Sequence, residues 1–190
     1  MSSTIRPPHD DAAPALDWQT FEAAHQFEDT VYRLASASLQ LLGESDFKDQ
    51  AFSAFAFNAV SFPTISLSLD TRPDTRELEY YPPDWSNECI EADVPAIGLL
   101  WEQGYATVAD ALSELMERAD DESLDAIDAG YMHSLRKVMV RLETIGAFGS
   151  IKTCPRFWTV VTQVDADTEE EERLLDQARL AATGSTQFSG

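Results

Sequence analysis

The chain has 190 residues, 44% of them hydrophobic, with ten Phe and four Trp, which suits one domain with a real core and argues against disorder. Its net charge is −21, from 13 Lys and Arg against 34 Asp and Glu; such a field repels nucleic-acid phosphate and attracts basic proteins and cations. No apolar run approaches the roughly 18 residues of a membrane span, and the N-terminal MSSTIRPPHDDAAPALDW lacks the charged-then-apolar layout of a signal peptide. The expectation is a cytoplasmic protein with neither nucleic acid nor membrane among its partners.

Residues 1–16 read as a flexible leader. A helix is predicted over 17–42, capped by Asp17, with Phe27, Val31, Leu34, Ser38 and Leu41 on one stripe and Gly43 as its stop. The segment AFSAFAFNA at 51–59 predicts a strand buried on both faces. Residues 64–70 alternate Ile65, Leu67 and Leu69 with Thr64, Ser66, Ser68 and Asp70, the pattern of a half-exposed antiparallel strand. ELEYY at 77–81 predicts a third strand, stopped by Pro82-Pro83. One or two helices are expected in 84–103, with Pro95 in a first turn and Gly104 as terminator. Thr107 and Asp110 resemble the cap of the next helix. Ser123 opens the longest one, striped by Leu124, Ile127, Tyr131, Leu135, Val138, Leu142 and Ile145 and closed by Gly146. RFWTVVTQV at 156–164 predicts a late strand inside the sheet. Thr168 with Glu171 forms a capping box for a final helix to about Ala182, followed by a frayed tail at 183–190. The expected fold is a single α+β domain at 17–182: a mostly antiparallel sheet of about four strands, a β meander plus a late central strand, with helices packed on it.

Chemical motifs are sparse. His9, His25 and His133 have no partner at metal-ligand spacing, and neither a nucleophile elbow nor a phosphate-binding glycine loop occurs. No cofactor is implied. Cys89 and Cys154 fit no zinc or redox motif and read as small core residues; a bridge requires the fold to bring their backbones together. Asp165 and Asp167 follow a strand, and with Asp84 they define an alternative, a metal-dependent or acid/base hydrolase that needs the three to converge. Trp85 in Pro-Pro-Asp-Trp is either a partner anchor or a plug at the end of the core; Trp18, Trp101 and Trp158 read as core.

Charge is distributed unevenly. Between Asp84 and Asp128 many acids face one base, Arg118, whereas residues 136–156 carry Arg136, Lys137, Arg141, Lys152 and Arg156 against Glu143. Either the acids make solvated helix faces, or they form a surface for a basic protein. On the second reading the candidate binding residues are Asp84, Trp85, Glu114, Glu117, Asp120, Asp121, Glu122 and Asp125. A third alternative is a non-catalytic regulatory or structural subunit that oligomerises through a helix face.

The order of these elements, with AFSAFAFNA, TISLSLDTRPD, the YYPPDW corner, LLWEQGY and FWTVVTQVD, resembles the bacterial family catalogued as domain of unknown function 4303. The resemblance spans roughly residues 17–180. It implies a setting in toxin–immunity loci and a binding role that neutralises a toxin effector. It brings no catalytic residues.

Overall fold

In the computed structural model, which describes residues 17–61, 63–72, 82–163 and 166–186, the chain opens with two helices where one is predicted. α1 spans Trp18–His25 and α2 spans Phe27–Glu44. Asp17 caps α1 as expected, its carboxylate accepting from the Thr20 N–H at 2.8 Å. Between the helices Gln26 takes a left-handed conformation, φ 52° and ψ 48°, which costs about 1–2 kcal/mol for a residue with a side chain. The turn folds Trp18 back so that its ring lies 5.2 Å from Phe27 and 6.0 Å from Tyr131. Burial of those rings offsets the strain. Nor does Gly43 stop α2. A side chain there would collide with the Ser150 carbonyl, so this glycine lets the 3-10 turn Ala147–Ser150 approach the helix.

Three strands form the sheet among the described residues: β1 (Phe52–Ser61), β2 (Thr64–Asp70) and β3 (Thr153–Gln163), in the order β2-β1-β3. β2 runs antiparallel to β1, with Phe55 opposite Leu69 and Phe57 opposite Leu67. β3 runs parallel to β1, with Ala54 beside Trp158 and Ala56 beside Val160. The expected sheet of about four mostly antiparallel strands is therefore corrected to a three-stranded mixed sheet, and the central strand is β1 instead of the late one. Its physical cause is the long helical connection between β2 and β3, which lets the chain return in the same direction as β1, as a parallel pair requires. The predicted strand at 77–81 lies outside the described residues.

α3 (Ile90–Asp93) and α4 (Pro95–Arg118) follow, with Pro95 in the first turn as expected. α4 continues through Gly104, so Thr107 and Asp110 lie within the helix instead of capping a new one. A Cβ at Gly104 would come 2.5 Å from the Leu34 side chain; the glycine serves close packing of α4 on α2. α5 spans Asp121–Thr144, and Asp120, not Ser123, is its cap. α6 spans Thr168–Thr186, past the predicted end at Ala182. Asp167 caps it, accepting from the Glu169 and Glu170 N–H groups at 2.9 and 3.3 Å. Glu171 is turned inward to Arg136 and takes no part in the expected capping box.

The helices cover one face of the sheet. Phe55, Phe57, Leu67, Leu69 and Val161 meet Phe27, Leu34, Trp101, Tyr131 and Leu135 there in one core. On the opposite face Ala54, Ala56 and Val160 pack under Trp85. All of Ile65 to Asp70 is buried, which overturns the expected half-exposed strand. The polar residues of β2 find partners inside: the Ser66 and Ser68 hydroxyls donate to the Glu88 carbonyl, and Asp70 accepts from Arg72 and Ser86. No described helix is long and apolar enough to cross a membrane.

Candidate partner surface

Six of the eight candidate residues gather where α4 passes into α5. Glu114 and Glu117 stand on the last turns of α4, Asp120 in the link, and Asp121, Glu122 and Asp125 on the first turns of α5; all six are exposed. The corner exists because Asp120 caps α5, accepting from the Ser123 N–H at 3.0 Å. Hydrogen bonds from the Ser123 hydroxyl and backbone hold the Asp120 carboxyl below its usual range. Asp121 and Glu122 lie at the positive end of the α5 dipole, which tolerates them. Among the described residues Glu114, Glu117, Asp121, Glu122 and Asp125 make no hydrogen bond or ion pair. Arg118, also exposed, is the one base beside them.

Other acids of the chain are engaged inside the fold. Glu28 accepts from Ser134 and Lys137 at 2.8 and 2.5 Å, and Asp29 pairs with Arg141 at 2.5 Å. Glu143 takes two bonds from Arg179, at 3.0 and 2.6 Å, and one from Thr159. Arg136 and Glu171 form a buried pair at 2.6 Å. Burial of Glu171 outweighs the attraction of Arg136 and raises its carboxyl above the ordinary range. Glu91 accepts from the Leu67 N–H at 2.7 Å and from the Cys89 thiol at 3.3 Å; desolvation raises both groups. The basic stretch 136–156 is thus largely tied to internal acids.

Asp84 and Trp85 belong elsewhere in the fold. Asp84 is exposed on the 3-10 turn Pro82–Asp84, which packs beside β2. Trp85 is buried and meets the Trp158 ring edge-on at 5.5 Å. It plugs the second face of the sheet and offers no surface to a partner. Among the described residues its indole N–H has no hydrogen-bond acceptor. Trp101 is buried as expected, whereas Trp18 and Trp158 are only partly so.

The hydrolase alternative gains nothing from this geometry. Asp167 is engaged as the α6 cap, Asp84 stands on the turn beside β2, and Asp165 lies outside the described residues. Among the described residues no three His, Cys, Asp or Glu side chains are placed to hold a metal ion. Both cysteines are free thiols and half-buried. His25 packs on Phe21, with ring centroids 4.6 Å apart, and His133 is exposed.

Sequence reading missed the buried Arg136–Glu171 pair and the Arg179–Glu143–Thr159 group. Their partners lie on different elements, so spacing carries no sign of them. By contrast Arg173–Glu170, at three residues' separation, is visible in the helical period. Comparison of the chain with protein-family models, with curated proteins and with solved structures returned no match.

Proposed function

We propose that the chain is an acidic binding protein whose α4–α5 corner docks a basic partner, in the manner of an immunity protein that neutralises a basic toxin effector. The observation that carries this reading is the group Glu114, Glu117, Asp121, Glu122 and Asp125: exposed carboxylates at one corner, without internal partners. Charge that stabilises nothing inside the fold is available to a partner. A concentrated negative patch steers a basic protein to the surface at high rate, and the effect fades as salt shortens the Debye length. The resemblance to domain of unknown function 4303 supplies the class of partner.

The test is a pull-down of the native complex across a salt series, followed by association kinetics with the recovered partner. The triple reversal Glu117→Lys, Glu122→Lys and Asp125→Lys leaves the Asp120 cap intact. It slows association by about tenfold or more at low salt and flattens the salt dependence. A partner that ignores the triple reversal, or no partner at low salt, defeats the proposal.

A further inference from the structure

A second surface differs from the acidic corner in both polarity and shape. The C-terminal halves of α5 and α6 line a half-open groove of about 390 Å³. Ala178, Ala181 and Ala182 of α6 form one wall, and Val140 of α5 with Ile145, just past its end, the other. The groove exists because α6 places alanines where larger side chains would close it. Ile145 is 54% exposed, and Leu180, next to Ala181, is 71% exposed; leaving such side chains in water is unfavourable.

Along α5 the groove is edged by His133, Lys137 and Arg141, and among the described residues no Asp or Glu lines it. In a chain of net charge −21 the groove thus presents two cations, each balanced by an acid of α2. The two long cations are held from behind by α2. Lys137 reaches Glu28 at 2.5 Å and Arg141 reaches Asp29 at 2.5 Å, and each remains about half exposed, at 50% and 48%. An ammonium has three donors and a guanidinium five, so each keeps N–H groups for a ligand. Arg141 is further fixed by the Tyr32 ring, 3.7 Å from its guanidinium carbon.

We propose that this groove binds a small amphipathic anion, an alkyl chain ending in a carboxylate, with the tail along the alanine wall and the head group on Lys137 and Arg141. The volume falls in the range of small-molecule sites, which are mostly apolar with a few placed polar groups. Charge complementarity selects an anionic head over a cationic one. The site is independent of the acidic corner, and either proposal stands if the other fails.

Titration calorimetry with decanoate, kept below its micelle concentration, tests the site. Decyltrimethylammonium serves as the charge-reversed control. The expected result is one saturable decanoate site, with the cationic analogue weaker by about tenfold or more. Ala181→Trp fills the groove from an exposed position, leaves the melting temperature unchanged and abolishes binding. The pair Lys137→Gln and Arg141→Gln weakens decanoate by about tenfold and does not weaken the cationic analogue, which loses two repelling charges. No saturable site, equal binding of both head groups, or full binding by Ala181→Trp overturns the proposal. A wild-type dimer that Ala181→Trp converts to monomer in sedimentation also overturns it, because the groove is then the seat of a second copy.

Discussion

Replacing either member of the Arg136–Glu171 pair should destabilise the fold, whereas replacing both should not. The Arg136 Nη2 and Glu171 Oε2 atoms are 2.6 Å apart, with side chains only 8% and 7% exposed. Removing one partner strands the other as a buried charge, which costs about 3–5 kcal/mol. Against a typical total of about 5–15 kcal/mol, that is a large share. The Arg136 Nε is also buried and has no acceptor among the described residues, and such a donor carries a desolvation penalty of about 1–3 kcal/mol. Arg136→Leu with Glu171→Leu removes the pair and this orphan together, so the double variant should match or exceed the wild type. The single variants differ in one respect. Glu171 left alone can take up a proton, and its carboxyl is already raised above 4.5 by burial, so the cost of Arg136→Leu shrinks as pH falls toward 4.5. Arg136 left alone cannot lose its charge. The assay is urea unfolding followed by far-ultraviolet circular dichroism, with the four proteins forming a double-mutant cycle. Single variants that each cost under about 1 kcal/mol would place the pair with solvent-screened surface pairs and refute the argument.

Asp70 contributes to acid stability: burial acts to raise its carboxyl, but bonds from the Arg72 side chain and backbone and from Ser86 outweigh it and hold it below 3.8. A depressed carboxyl adds stability that is present above 3.8 and is lost as pH falls through the lower folded value, so Asp70→Asn should be less stable at pH 7 and equal to wild type at the acid end. Melting curves across pH check this; a gap that persists at the acid end contradicts it. Gly43→Ala should cost about 1–3 kcal/mol, because the Ser150 carbonyl occupies the space, whereas Gly149→Ala, with nothing within 4 Å, should be close to neutral. Chemical denaturation of the two variants side by side decides the point. Trp85→Phe should cost less than about 1.5 kcal/mol, since it retains an aromatic ring against Trp158 and removes a buried N–H without an acceptor, while Trp85→Ala should cost about 3–5 kcal/mol.

The parts of this fold legible in the sequence are those set by local pattern. AFSAFAFNA carries no charge, and β1 is buried on both faces as that pattern predicts. Asp17 and Pro95 mark helix starts by their own chemistry. What escaped depends on distant neighbours. Ser66, Ser68 and Asp70 read as solvent-facing because they are polar, yet Glu88, Arg72 and Ser86 satisfy them inside. Gly43 and Gly104 read as stops because glycine commonly ends helices, but here each admits a close neighbour, Ser150 or Leu34. The parallel placement of β3 follows from the helices between it and β2, and nothing within RFWTVVTQV encodes it. For the candidate surface, the exposure of the α4–α5 acids follows from their helical period. Which acids are tied up inside does not, because Glu28, Glu143 and Glu171 meet bases from other elements.

The Glu91 carboxylate has a consequence for how copies of this protein coexist in a crowded solution. Among the described strands β2 has β1 on one side only, and an open strand margin is a template on which a foreign chain can align and aggregate. Here the Leu67 amide is already given to Glu91, and Leu69 exchanges both of its backbone bonds with Asn87 at 2.9 and 3.0 Å. Ahead of α3 the chain therefore seals that margin with its own atoms, and the acid that completes the seal brings a charge that discourages an apolar intruder.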